Sequence, residues 1–279
     1  MSTAGVVAAR LVRGVQVGEV APEPITPDWE ILRDFNSGAN GASANATADG
    51  FDGDAGDSVY TTEQVFAGAR SCKMTITEGQ GGFGAWGGII VLPSPLLKGD
   101  RLWYQHYYWM PEDYILSTTP GWLKYLRFLT RTAADTHVGY LDCYINDDVL
   151  GTPDSTYRWI LEGQFEWVLA GSARRYLRDQ WVRQTVCIDL SDVPAALGGS
   201  ARVRHWENGS LVMDSATQLG TYGNWLKTLN EADHRVIAHY LHTYWNNDNA
   251  PATQSSYVDD IRIAKNGVPS WALDLEDLT

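Results

Sequence analysis

Val138-Gly139-Tyr140-Leu141-Asp142-Cys143-Tyr144-Ile145-Asn146 alternates polar with apolar side chains at every step from Tyr140 onward. A period of two belongs to a β-strand, because successive side chains there point to opposite faces. The reading places Leu141, Cys143 and Ile145 on a buried face. Tyr140, Asp142, Tyr144 and Asn146 stand on the opposite face.

The same period runs outward along the chain. Upstream, Trp29–Phe35, Val59–Thr62, Ser71–Thr77, Ile89–Leu92, Arg101–Met110 and Trp122–Thr130 read as strands, with Pro93 and Pro95 expected to end the fourth. In Trp122–Thr130, Tyr125, Arg127 and Leu129 alternate with Lys124, Leu126 and Phe128. Downstream, Trp159–Leu169, Trp181–Leu190, Val236–Trp245 and Ser256–Ala264 follow. Ala201–Trp206 and Ser210–Met213 flank Glu207-Asn208-Gly209, the signature of a hairpin with an Asn-Gly turn. A short helix is expected only around Trp225–Leu229. Many strands, long Gly/Asn/Asp-rich loops and scarce helical patterns predict an all-β sandwich of two packed sheets.

The expected organisation is an N-terminal extended arm and linker over 1–28, a sandwich domain over 29–266 and a C-terminal tail over 267–279. Pro22, Pro24 and Pro27 separate the arm, which is expected to dock on the domain, on a neighbouring subunit or on another protein. Met1–Val20 lacks a long apolar run, being interrupted by Arg10 and Arg13. No signal peptide and no membrane-spanning segment are expected. That implies a protein kept in the cytoplasm or released by another route, as a virion-associated protein is by lysis.

A formal net charge of −13 excludes the basic footprint that nucleic acid requires and argues against anionic membranes. The three cysteines, Cys72, Cys143 and Cys187, sit far apart in apolar strand-like runs and read as buried free thiols. No Gly-x-Ser-x-Gly elbow, phosphate-binding loop or His-Glu-x-x-His pair is present.

Two rows repeat one pattern. Tyr104-Gln105-His106-Tyr107-Tyr108 and Tyr240-Leu241-His242-Thr243-Tyr244 both read Tyr-x-His-x-Tyr. On strands, each presents Tyr, His, Tyr on one face. Joined by Arg127 and by Tyr140, Asp142 and Tyr144, they form an expected aromatic groove of ten residues: Tyr104, His106, Tyr108, Arg127, Tyr140, Asp142, Tyr144, Tyr240, His242 and Tyr244. Aromatic rings cover the apolar faces of sugars, while His, Asp and Arg bond their hydroxyl edges. The alternative is that the same rings are core residues.

Ser256-Tyr257-Val258-Asp259-Asp260-Ile261-Arg262-Ile263 resembles the closing strand of concanavalin A-like jelly rolls, which include LamG-type lectin modules and several polysaccharide lyase families. Gly68–Lys73, Leu102–Tyr114 and Lys124–Phe128 fit the same template. The resemblance implies a two-sheet jelly-roll sandwich with a glycan-contacting face on one sheet. It also implies a structural Ca²⁺ near Asp259 and Asp260, since calcium takes clustered oxygens. Asp52, Asp54 and Asp57 form a second acidic loop without the spacing of an EF-hand.

Three functions follow as expectations. The first is a glycan-binding protein of a virion surface, such as a phage decoration or tail component. The second is a polysaccharide lyase, in which His106, His242, Tyr108, Tyr244 and Arg127 supply base, acid and uronate neutraliser. The third is a purely structural capsid module. Asp142 is the only carboxylate expected on the groove, which excludes hydrolysis by a carboxylate pair.

Overall fold

The structure is a computed structural model that describes residues 25–116, 122–147, 154–161, 166–169, 174–175, 177–246 and 249–278. The alternating segments become strands β1 (Trp29–Arg33), β2 (Ser58–Thr61), β3 (Ser71–Ile76), β4 (Gly88–Leu96), β5 (Arg101–Trp109), β6 (Trp122–Arg131), β7 (His137–Asp147) and β8 (Asp154–Leu161). Then come β9 (Val168–Leu169), β10 (Arg174–Arg175), β11 (Trp181–Asp189), β12 (Arg202–Glu207), β13 (Ser210–Asp214), β14 (Arg235–Asn246) and β15 (Gln254–Lys265).

They form two antiparallel sheets. The eight-stranded sheet runs β13-β12-β11-β5-β15-β3-β2, and β1 pairs with the C-terminal half of β15 beside β3. The seven-stranded sheet runs β10-β8-β7-β6-β14-β4, with β9 on β8. This is the expected two-sheet jelly-roll sandwich. The expected segment Trp159–Leu169 is divided between β8 and β9.

Between the sheets, Leu126, Phe128, Leu141, Cys143 and Ile145 from one side meet Tyr104, Val182, Val186, Val258 and Ile263 from the other. Burying side chains of this size contributes roughly 1.5–3 kcal/mol each. A second, smaller core lies outside the eight-stranded sheet. There Trp103, Cys187, Trp206 and Ala264 are covered by Ala272 and Leu275. The C-terminal segment is held by backbone acceptors: Trp103 Nε1 donates to Gly267 O (2.9 Å), Trp206 Nε1 to Glu276 O (2.6 Å) and an Arg204 guanidinium nitrogen to Leu278 O (2.7 Å). The residues expected as a tail are therefore packed onto the sandwich. All three cysteines are free and buried.

The β12–β13 turn has both central residues at positive φ, Asn208 at 51° and Gly209 at 88°, as a type I′ hairpin requires. Two expectations fail locally. β4 continues through Pro93 and Pro95 to Leu96, because it is the last strand of its sheet and the missing N–H groups interrupt no further ladder. Trp225–Leu229 forms no helix. Leu226 and Leu229 are buried three apart, which imitates a helical stripe, but their carbonyls instead accept from Ala201 N and Ala195 N (both 2.9 Å). Residues 1–24 of the expected arm lie outside the described residues.

Candidate functional site

The outer face of the seven-stranded sheet is built by three adjacent central strands, β7, β6 and β14. From Tyr140 to Ile145 β7 keeps its alternation: Leu141, Cys143 and Ile145 enter the core, while Tyr140, Asp142 and Tyr144 lie outside. β6 and β14 do not keep a strict period. Between the pairs Lys124↔Tyr144 and Leu126↔Cys143, β6 inserts one extra residue, Tyr125. Between Leu241↔Leu126 and Tyr244↔Lys124, β14 inserts two residues, His242 and Thr243, opposite that one. These are β-bulges, which re-aim side chains and increase local twist. His242 absorbs the distortion at φ 52°, a left-handed conformation rare for a side-chain-bearing residue.

The bulges decide which residues share a face. Tyr125 and His242 both turn into the sandwich interior, where their rings lie 5.3 Å apart. Tyr125 Oη meets His106 Nε2 at 2.5 Å. Lys124 is thrown to the outside, onto the face of Arg127.

The expected ten-residue groove is therefore divided. Arg127, Tyr140, Asp142, Tyr144 and Tyr240 share the outer face. Tyr104, His106, Tyr108 and His242 do not: all four are at most 1% exposed and pack between the sheets. Tyr104 lies tilted against His239 (4.3 Å) and edge-on to Phe128 (6.0 Å), and His242 packs on Trp86 (4.6 Å). The reason is strand register on β5. Its inward set begins with Leu102, and Tyr104, His106 and Tyr108 follow at the period of two, facing the core. On β14 the bulge separates Tyr240 from His242. The side chain of Tyr244 lies outside the described residues; its backbone pairs with Lys124.

Burial fixes the charge of the interior imidazoles. Desolvation takes His106 well below the ordinary histidine range and lowers His239 and His242 to about 3. They stay neutral near pH 7 and do not reach the outer face. His106, His242 and Tyr108, expected to move protons on the groove, stand in the core instead.

On the outer face Arg127 and Asp142 form a bidentate ion pair, Nε–Oδ1 2.8 Å and a terminal nitrogen–Oδ2 3.2 Å, with side chains 2% and 0% exposed. The guanidinium carbon stacks 3.5 Å from the centre of the Tyr140 ring. Tyr144 Oη donates to Asp142 Oδ2 at 3.2 Å, and Lys124 Nζ lies 5.4 Å from the Tyr144 ring centre. Cation–ring contacts of this kind contribute on the order of 0.5–2 kcal/mol.

Loops complete the site. Trp167 meets the Tyr144 ring edge-on at 5.1 Å. Glu166 accepts from Tyr222 N (2.9 Å) and Asn224 Nδ2 (3.0 Å), fixing the segment beside Trp167. At the other end Phe83, 44% exposed, packs on Tyr240 at 4.8 Å, and Tyr240 Oη donates to Asp54 Oδ2 at 3.3 Å. Burial, together with nearby Asp54 and Tyr140, holds the Tyr240 phenol above its ordinary range, so it stays a donor. Sequence reading missed Lys124, Phe83, Trp167 and Glu166. The bulge at Tyr125 leaves no local signature, and the other three stand on loops whose approach is a tertiary fact.

Asp259 and Asp260 lie at a bulge of the other sheet, where β15 carries one residue more than β5 between Asp259↔Tyr107 and Arg262↔Gln105. Asp260 takes φ 47°. The Asp259 carboxylate accepts from Phe66 N and Ala67 N (both 3.1 Å) and from Asp260 N (2.8 Å), while Asp260 is paired with Arg262. In the acidic loop, Asp52 binds Arg33 and Val91 N, and Asp54 binds Tyr240. Among the described residues no three His, Cys, Asp or Glu side chains gather as metal ligands. The oxygens expected for calcium are used by N–H and O–H donors and guanidinium groups, so these residues do not fit a calcium cage.

A comparison with protein-family models matches none, and a comparison with curated proteins finds no relative. Solved structures do match. The endo-β-1,4-glucuronan lyase of the fungus Trichoderma reesei superposes with a TM-score of 0.56 at 13% identity, over 86% of this chain and 95% of that one. A mutant of the alginate lyase Aly36B, bound to alginate trisaccharide, gives 0.56 at 14% identity, over 85% and 98%. The alginate lyase vAL-1 of a Chlorella virus gives 0.51 at 12% identity, over 76% and 90%. At such identities the likeness is one of fold: the chain has the concanavalin A-like jelly-roll fold found in these polysaccharide lyases.

Proposed function

We propose that the chain binds a polysaccharide across the outer face of its seven-stranded sheet. The observation that carries this reading is the half-buried Tyr140 and Trp167 and the exposed Phe83, standing over the buried Lys124, Arg127, Asp142, Tyr144 and Tyr240 of three adjacent strands. Rings, a cation and hydroxyl donors set side by side are what a saccharide's C–H faces and hydroxyl edges require. The fold neighbours act on polysaccharides, which supports the same class of ligand here. Retention of the protein in native gels cast with neutral and uronate polysaccharides tests it. Retention that Trp167→Ala weakens is expected; equal migration in every gel overturns it.

β-Elimination is the second reading, favoured by Lys124, whose Nζ lies 5.4 Å from the Tyr144 ring centre. A cation beside the uronate carboxylate would stabilise the charge that develops when the C5 proton leaves. A base takes that proton, the C4–O bond breaks, the departing oxygen gains a proton, and a C4=C5 double bond remains in the product. Lys124 and Tyr144 replace the interior histidines as candidates for these roles, and the Tyr240 phenol remains protonated as a donor. Arg127 already has its carboxylate partner in Asp142, which makes it a brace for the site rather than a free neutraliser. New ultraviolet absorbance from an unsaturated product, lost in Lys124→Ala while gel retention persists, is the expected result for an enzyme. Retention without absorbance on any uronate polymer leaves a binding protein. The expected virion-surface placement rests on an arm mostly outside the described residues, and its test is cofractionation with particles. Silence on all glycans with retained particle association would favour the purely structural capsid module.

A further inference from the structure

The opposite side of the sandwich carries a second row of residues that the groove does not use. Cross-strand partners face the same side of a sheet. Val59↔Lys73, Lys73↔Tyr257, Tyr257↔Trp109 and Trp109↔Trp181 are successive partners, so one row crosses β2, β3, β15, β5 and β11 on the outer face of the eight-stranded sheet. Four strand spacings make it about 19 Å long. The C-terminal segment covers this face around Trp103 and Trp206, further along the same strands.

The row is aromatic at one end. Trp109 meets Tyr257 edge-on at 5.6 Å. Tyr107, two residues along β5, stacks with Phe66 at 3.6 Å and 16°, and Phe66 touches Trp181 at 5.9 Å. Phe66 is 40% exposed, and Trp109, Trp181 and Tyr107 are half-buried. Its loop is fastened from below by the Asp259 carboxylate, which takes Phe66 N and Ala67 N. At the other end the row opens into a depression of about 370 Å³ lined by Asn40, Asp57, Thr61, Glu63, Lys73 and Thr75. Glu63 and Lys73 join the two ends: Tyr257 Oη donates to Glu63 Oε2 (2.7 Å), and Lys73 Nζ lies 6.0 Å from the Tyr257 ring centre.

We infer that this row is a second saccharide site, specific for an uncharged polysaccharide chain. The rings offer platforms for sugar C–H faces, and the depression offers amide, hydroxyl and carboxylate groups for hydroxyl edges. Charge selects the class of ligand. Lys73 is paired with Glu63, Arg183 with Asp274 and Arg262 with Asp260, so the flanking charges are compensated locally. No cation on this row is left over for a uronate, and the net charge of −13 repels a polyanion at long range. The site stands apart from the groove and does not depend on it.

Native gels containing hydroxyethyl cellulose, mixed-linkage β-glucan, xylan or galactomannan, with alginate as the charged comparison, test the inference. The double variant Phe66→Ala/Trp181→Ala is expected to lose at least tenfold in retention by one of the neutral polymers. Trp181→Phe should keep most of it. A melting temperature equal to that of the parent establishes that the double variant is folded. Unchanged retention of the folded double variant overturns the site. So does retention by alginate alone, or a concentration-dependent dimer of the parent that the double variant loses.

Discussion

Replacing Asp142 by Asn keeps the shape of the outer face and removes one charge from its centre. The Arg127–Asp142 pair is buried to within 2% exposure, bidentate, and capped by the Tyr140 ring. Removing one partner of a buried ion pair costs about 3–5 kcal/mol, because the other charge stays desolvated. For 279 residues the unfolding entropy scales to roughly 0.6 kcal/mol/K, so the loss corresponds to a fall in Tm of about 5–9 °C. Tyr144 also donates to Asp142, and the amide keeps an oxygen to accept that bond, which isolates the ionic part. Scanning calorimetry and urea unfolding of Asp142→Asn, Arg127→Met and the double variant measure the coupling. The double variant should be less destabilised than the sum of the singles by at least about 2 kcal/mol. Additive singles, or an Asp142→Asn loss below about 1 kcal/mol, refute the view that this pair braces the site.

Acid should weaken the fold through its interior imidazoles. His239 and His242 titrate near 3 in the folded state, against about 6.5 when unfolded, so their stability is complete above pH 6.5 and is lost as pH falls toward 3. At pH 5 each costs on the order of 2 kcal/mol relative to pH 7. Asp259 has the opposite sign: burial, opposed by its three N–H donors, raises it to about 7, so it regains stability on acidification and offsets about one histidine. A net fall in Tm between pH 7 and 5 is expected, and an unchanged or rising Tm contradicts the burial described. Leu275→Ala should cost about 2–4 kcal/mol by opening the small core beneath the C-terminal segment; a silent variant in calorimetry would show that this segment is not part of the folded unit. Cys72, Cys143 and Cys187, whose thiols burial pushes up, should resist a thiol reagent in the native protein and all react in urea; rapid native labelling contradicts the packing.

The sandwich was legible because its strands obey a period of two over most of their length. Leu141, Cys143 and Ile145 on β7 needed nothing further, and Asn208-Gly209 announced its turn. The site was half legible. Tyr140, Asp142, Tyr144 and Arg127 fell on one face as read. The two Tyr-x-His-x-Tyr rows misled for two physical reasons. A strand row of Tyr, His, Tyr is amphipathic enough to be either core or surface, and on β5 it is core, with His106 bonded to Tyr125. On β14 the bulge at His242 and Thr243 breaks the alternation, and a bulge is set by its neighbours rather than by the residues that form it. The same event on β6 brings Lys124 to the face of Arg127, although their spacing of three places them on opposite sides of a regular strand. Asp259 and Asp260 resemble cation ligands in sequence, yet in space one holds the Phe66 loop and the other its own bulge.

The central claim is that the outer face of the seven-stranded sheet, and not the interior histidine row, meets the saccharide. The dissociation constant of the Tyr140→Ala/Trp167→Ala variant, for an oligosaccharide of whichever polymer retains the parent protein in a groove-dependent way, tests it most directly. Binding weakened at least tenfold, or about 1.4 kcal/mol, is expected in a variant that remains folded. An unchanged dissociation constant in that folded variant would contradict it.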